Sequence, residues 1–198
     1  IHGDINEVPN DLIIEILLKK FNVTTIDIVA GGPPCESFSM AGKRLEDDDR
    51  NDLFSNLLRI AHAVDSKFVF FENVPGLLTK KRDGKEGGQF KYILHKFKEK
   101  SEESGNSYHL ASDKVEVIKC LAADYGVPQK RERVFLIGCN SKFGNNPFKY
   151  PEKTHGPGRR YPYVTVGEAL SYLPEINSGE GEDCLDYTCE YVKDFENG

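Results

Sequence analysis

The stretch that most constrains this chain is Ile28 to Arg44, IVAGGPPCESFSMAGKR, where an apolar run stops at two glycines and two prolines just before a cysteine. Ile26, Ile28, Val29 and Ala30 predict a buried strand. Gly31, Gly32, Pro33 and Pro34 end it abruptly, because proline lacks a backbone donor and restricts the residue before it. Cys35 is therefore expected at a carboxyl-terminal strand tip, the place where open α/β sheets bind ligands. A lone cysteine is often just a small inert hydrophobe. Here the two prolines argue against burial within a strand. The loop that follows holds Ser37, Ser39, Gly42, Lys43 and Arg44, whose cations can favour a thiolate or hold phosphates. A nucleophile is the better reading of Cys35.

The rest of the chain repeats a helix-then-strand rhythm. Asp11 to Phe21 has apolar residues at helical spacing, with Asn10 or Asp11 as the cap. Leu53 to Val64 repeats the pattern, and Phe68 to Phe71 is a continuous apolar run suited to a buried parallel strand. Two such units in succession imply right-handed crossovers and a doubly wound sheet. The second strand runs into Glu72, Asn73, Val74, Pro75 and Gly76, which puts Glu72 on the same rim as Cys35. Lys80 to Gly88 is charged and glycine-containing and is expected to be mobile. Gln89 to Lys100 follows as an amphipathic helix. Tyr108 to Leu121 and Arg133 to Cys139 are strand-like, separated by the turn-rich Asp124 to Pro128. Past Asn140 the chain reads as loop, with a short helix near Val166 to Tyr172.

Charge qualifies this picture. The net charge of -6 disfavours a nucleic-acid partner, but it is unevenly spread. Residues 128 to 161 hold 8 Lys and Arg against 2 Asp and Glu, whereas residues 175 to 198 hold 1 against 8. Arg131, Arg133, Arg159 and Arg160 in the basic stretch could meet phosphates; the acidic end reads as a linker or boundary. The acidic run Glu46 to Asp49 is a solvated loop rather than a metal site, since consecutive carboxylates point different ways. No apolar run approaches a membrane span and the first residues do not form a signal peptide. Five scattered cysteines, at least one of them unpaired, indicate a reducing intracellular setting, and none has zinc-site spacing.

Two further motifs join PPCESFS at Pro33 to Ser39: FENVPG at Phe71 to Gly76 and QKRER at Gln129 to Arg133. In this order and spacing the three resemble the cytosine-5 DNA methyltransferase family, over roughly residues 3 to 174. The resemblance implies an α/β, Rossmann-like S-adenosylmethionine-dependent methyltransferase fold. Its sheet would be doubly wound and mostly parallel, with an antiparallel edge pair, and truncated at both ends. Residues 1–174 would be a partial catalytic domain, and residues 175–198 an acidic linker or the start of the target-recognition region. The family's opening glycine-rich cofactor loop has no counterpart here, so a long apolar edge is expected beside the Cys35 strand. A complementing chain could carry the missing part.

The resemblance also assigns roles. Cytosine C5 becomes nucleophilic only after something adds at C6, and a cysteine thiolate suits that addition. This role falls to Cys35. Glu72 would face N3 as the acid, and Asn73 would orient that carboxylate or hold the loop. Arg131 and Arg133 would stabilise charge developing at O2. The methyl donor implied is S-adenosylmethionine, with Asp4 and Ile5 against the adenine and Pro34 and Leu53 on the methionine side. Ser37, Ser39 and Arg50 match the loop that grips double-stranded DNA around a flipped base. No metal is implied. A restriction-modification role in the cytoplasm, at the nucleoid, is expected. Cytosine methylation of tRNA, or a non-catalytic nucleic-acid-binding relic of the fold, are the alternatives.

Overall fold

In the computed structural model, residues 4–33, 53–102, 104–171 and 173 are described. They fall into two units: residues 1–121 with 132–152, and residues 122–131 with the part of the chain after 152. The larger unit is an α/β layer built on a mixed sheet.

In chain order its elements are α1 (Asn10–Ile16), β1 (Ile28–Gly31), α2 (Leu53–Ala63), β2 (Phe68–Asn73), α3 (Gly88–Lys98), β3 (Tyr108–Leu110), α4 (Val115–Ile118), β4 (Lys119–Leu121) and β5 (Glu132–Asn140). The strands lie in the order β1-β2-β5-β3, with β4 also against β5. β1 and β2 are parallel, Ile28 beside Phe68 and Gly31 beside Phe71. β5 runs antiparallel to β2, β3 and β4, so it is the one reversed strand among these five.

The expected antiparallel pair at the edge forms, with one refinement. The Tyr108–Leu121 stretch is two short strands split by α4, so β3 pairs with residues 138–140 of β5 and β4 with residues 132–134.

The core lies where α2 and α3 cover β2 and β5. Phe54, Leu57, Leu58 and Ala61 of α2 meet Val69, Phe71, Ile93, Phe97, Val134 and Leu136. Phe54 stacks on Phe71 at 5.1 Å and on Phe97 at 5.3 Å. Each such fully buried side chain contributes about 1.5–3 kcal/mol. Gly138 on β5 permits this packing, since a Cβ there would lie 2.9 Å from the Phe97 ring and 3.0 Å from Tyr108 Cβ.

Several local expectations are corrected. β2 is not buried on both faces: Val69, Phe71 and Asn73 are buried, while Phe70 is 36% exposed and leans on Phe135 at 5.5 Å. β1 is not buried either. Ile28 is 57% exposed, and among the described residues only β2 pairs with it. The first helix is capped by neither Asn10 nor Asp11. Pro9 holds the N-cap position with φ of -73°, Asn10 is already helical, and the helix continues as a π-turn to Phe21.

The Lys80 to Gly88 segment, expected to be mobile, is anchored. Arg82 and Lys85 exchange backbone hydrogen bonds of 3.2 and 3.0 Å. The Arg82 guanidinium lies 3.7 Å over the Tyr92 ring and donates to Gln89 Oε1 at 3.0 Å, and Lys80 is 2% exposed.

Candidate active site

Strand alternation decides what meets at the end of β2. Asn73 follows Val69 and Phe71 to the buried side, while Glu72 faces the other. On β5 the residue opposite Glu72 is Phe135. Arg133, two residues earlier, shares its face as the diagonal neighbour, within reach of a long side chain. Arg133 Nε lies 2.8 Å from Glu72 Oε1, and Arg133 Nη1 donates to the Glu132 carbonyl at 2.7 Å. The two side chains are 21% and 32% exposed, partly shielded yet open to a ligand. Glu132 points the opposite way and pairs with Lys119 at 2.9 Å, leaving Glu72 to Arg133.

The tip of β1 adjoins this pair. A Cβ built on Gly32 would stand 3.1 Å from Glu72 Oε2, so the bare glycine lets the strand end pass close to the carboxylate. Asn73, 1% exposed, donates through Nδ2 to the Pro33 carbonyl at 3.4 Å and accepts from the Val74 amide at 2.8 Å. Its amide thus goes to the β1 tip and the start of the next turn, not to Glu72.

Of the expected cofactor-side residues, Leu53 lies on α2 and the Asp4–Ile5 segment is bonded to that helix. Leu53 opens the helix and is half-buried. One turn later Leu57 packs under Gly31, where a Cβ would lie 2.8 Å from Leu57 Cδ1. Asp4 is exposed and caps a 3-10 turn, Ile5–Glu7, its Oδ1 accepting from the Asn6 amide at 2.9 Å. Asn56 of α2 donates to Asn6 Oδ1 at 2.7 Å, and Arg59 donates to the Ile5 carbonyl at 3.1 Å. One helix therefore touches both the Asp4–Ile5 segment and the β1 tip. Gly31 and Gly32 put no side chain of their own on the strand end, which packs closely on Leu57 and beside Glu72. The polar Asp4–Ile5 turn, held against α2, and the half-buried Leu53 that opens this helix suit a cofactor with a polar and an apolar part.

Cys35, Pro34, Ser37, Ser39 and Arg50 lie outside the described residues. Arg131 belongs to the smaller unit, where it ends a closed turn: the Ala122 amide donates to its carbonyl at 2.8 Å, and its own amide donates to Gln129 at 3.0 Å. That unit is organised by Asp124, which is 8% exposed. The Asp124 carbonyl accepts from the amides of Thr154 and His155, and its carboxylate from Lys153 at 2.9 Å and Tyr163 at 3.1 Å. Burial pushes the Asp124 carboxyl up, but the Lys153 and Tyr163 bonds outweigh it and hold the group below its ordinary value. Gly126, at φ +88°, leaves room for the His155 ring.

Asn56, Arg59 and Asp124 were not singled out from the sequence. The one available signal was at Arg59, set between Leu57, Leu58, Ile60 and Ala61, where a cation needs partners. A cavity of about 290 Å³ opens beside Arg59, lined also by Asn10, His62, Lys96 and Glu99, and none of the expected site residues lines it. Among the described residues no group of His, Cys, Asp or Glu could hold a metal ion, and no helix is long and apolar enough to cross a membrane.

The mixed α/β sheet and the carboxylate–guanidinium pair on its rim do not by themselves name a reaction, and comparison with known proteins gives the class. The profile of the C-5 cytosine-specific DNA methylase family matches residues 1–196. The chain is 37% identical over 186 residues to the Type II methyltransferase M.AquIA of Picosynechococcus, covering 88% of this chain and 70% of that protein. It is 37% identical over 174 residues to M.DdeI of Desulfomicrobium norvegicum, covering 85% of this chain but 37% of the relative. A crystal structure assigned to a DNA modification methyltransferase of an E. coli prophage superposes with a TM-score of 0.58 at 28% identity, over 89% of this chain and 42% of that one. This chain belongs to the C-5 cytosine-specific DNA methylase family. It spans well under half the length of some of the relatives it matches.

Proposed function

We propose that this chain carries the central catalytic segment of a DNA (cytosine-5)-methyltransferase of a bacterial restriction-modification system, acting in the cytoplasm and at the nucleoid. The observation that supports this most is the Glu72–Arg133 pair at 2.8 Å, set beside the Gly32–Pro33 tip that leads to Cys35. Only Pro34 separates Pro33 from Cys35, so chain geometry keeps the two Cα atoms within about 7 Å.

In this reading the Cys35 thiolate adds to C6 of an extruded cytosine, forming a C–S bond and shifting an electron pair through the ring towards N3 and O2. Glu72 shares a proton at N3 while Arg133 donates to O2 as charge develops there. Asn73 fixes the β1 tip against β2, so that nucleophile and acid are held together before the substrate arrives. S-adenosylmethionine supplies the methyl group that C5 then takes. Solvent water then takes the C5 proton, and the C–H electron pair re-forms the C5–C6 double bond as the C6–S bond breaks. N3 gives its proton back to Glu72, and the Cys35 thiolate and the aromatic ring are restored. Asp4, Ile5, Pro34 and Leu53 hold the cofactor; Ser37, Ser39 and Arg50 hold DNA around the flipped base.

Further segments, in the same polypeptide or in a complementing chain, would lie against the open edge of β1. The test is transfer of a labelled methyl group by the full-length protein, with any complementing chain, to duplex DNA or to tRNA. Label on cytosine of duplex DNA is expected, and label on tRNA alone would move the assignment to the RNA branch. Transfer to neither would overturn the function.

A further inference from the structure

We infer that Arg59, together with Asn56, is a positioning residue that sets the Asp4–Ile5 segment for the adenine end of the cofactor. This rests on the methyltransferase reading above.

Arg59 spends every arm of its guanidinium on one neighbourhood. Nη2 donates to the Ile5 carbonyl at 3.1 Å, Nη1 to Asn10 Oδ1, and Nε to Asn56 Oδ1 at 3.0 Å. Two of these three partners lie 49 and 54 residues away in sequence. Asn56 extends the chain of bonds: its Nδ2 donates to Asn6 Oδ1 at 2.7 Å, and the Asn6 amide in turn donates to Asp4 Oδ1 at 2.9 Å.

The acceptors of Arg59 are neutral oxygens, and among the described residues no carboxylate forms an ion pair with it. Its role is therefore geometric, a planar fork fixing backbone and amide positions, which a lysine cannot reproduce. The segment needs such a hold. Of residues 4–10 only Val8 is buried, and the turn has one internal backbone bond of 3.0 Å and one of 3.3 Å. Without α2, nothing comparable among the described contacts would keep Asp4 and Ile5 in place.

The same helix that positions the adenine side carries Leu53 on the methionine side and packs Leu57 under Gly31. α2 thus acts as a ruler between the two ends of the cofactor, with Arg59 and Asn56 as its fastening at the adenine end.

The test uses Arg59→Ala, Arg59→Lys and Asn56→Ala in the full-length protein. Amide hydrogen exchange at Asn6, Glu7 and Val8 without cofactor is expected to accelerate about tenfold or more in Arg59→Ala. S-adenosylhomocysteine affinity should fall about tenfold, with the KM for S-adenosylmethionine rising while kcat and the KM for DNA stay within about twofold. Arg59→Lys should recover only part of the loss, and Asn56→Ala should show the same pattern more weakly, which covers the case of a poorly folding Arg59→Ala. Exchange and affinity both unchanged in Arg59→Ala and Asn56→Ala would overturn the inference, as would equal losses in kcat and both KM values. Failure of the wild type to bind S-adenosylhomocysteine would overturn the methyltransferase reading and, with it, the cofactor role; unchanged exchange alone would remove the hold assigned to Arg59.

Discussion

β1 and β2 lie side by side, run parallel and have similar apolar sequences, yet they occupy opposite environments. In β2 and its antiparallel neighbour β5, Val69, Val134 and Leu136 are 0% exposed and Phe71 is 1% exposed. In β1 Ile28 is 57% exposed, and nearby in the sequence Leu18 and Phe21 are 44% and 64% exposed. The difference comes from neighbours rather than from composition: among the described residues β2 has a strand on each side, β1 has one. The consequence for function is an unequal division of support. Glu72, Asn73 and Arg133 rest on the buried centre, whereas the strand leading to Cys35 rests on an edge and is tied to that centre by Asn73 and by the packing of Leu57 under Gly31.

The comparison can be broken most easily at the centre. Phe71→Ala should destabilise the protein by about 3–5 kcal/mol, read from urea unfolding, because it removes a ring packed in the core and leaves a cavity. A loss below about 1 kcal/mol would mean that the centre is not the rigid half. Next in size, Glu72→Gln keeps the shape but removes the charge facing Arg133. It should lower kcat about 10²–10³-fold with little change in melting temperature, a kinetic loss without a structural one.

At the tie between the two regions, Asn73→Ala should cost roughly 1–3 kcal/mol, since it strips the bonds to Pro33 and Val74 from a buried position. It should also reduce kcat, because the β1 tip is no longer held. On β1 itself, Ile28→Thr should change stability by no more than about 0.5 kcal/mol and should reduce self-association seen by light scattering, as an exposed apolar edge strand is a site for pairing. A large loss of stability there would show that β1 is covered in the whole protein.

What was legible in the sequence follows the same division. α2 and α3 are readable because their helical periodicity reports burial that exists, and β2 and β5 because their apolar runs form strands, although β2 buries only one of its two faces. Glu72 and Arg133 were placed by motif, and the alternation of two paired strands explains why they meet. The burial of β1 was misread because an apolar run records the tendency to form a strand, not how many neighbours it will have. α4 interrupts what reads as one strand since β5 offers pairing at its two ends and a different covering in between. The Lys80 to Gly88 segment reads as mobile from its charges and glycines, yet Arg82 stacks on Tyr92 and Lys80 is buried. Arg59 left little trace because its partners at Ile5 and Asn10 are remote in the chain, and no local pattern encodes a bond of that kind.

The central claim is that a thiol on the β1 side and an acid and guanidinium on the β2–β5 side act on one cytosine. It is tested most directly by incubating the full-length protein and S-adenosylmethionine with duplex DNA carrying 5-fluorocytosine at the target. After methyl transfer the fluorine cannot leave as a proton does, so the C6–sulfur bond should persist. The account predicts a denaturation-stable protein–DNA adduct that maps to Cys35, disappears in Cys35→Ala and forms far more slowly in Glu72→Gln. An adduct that survives Cys35→Ala, or none from a protein that methylates ordinary DNA, would contradict it.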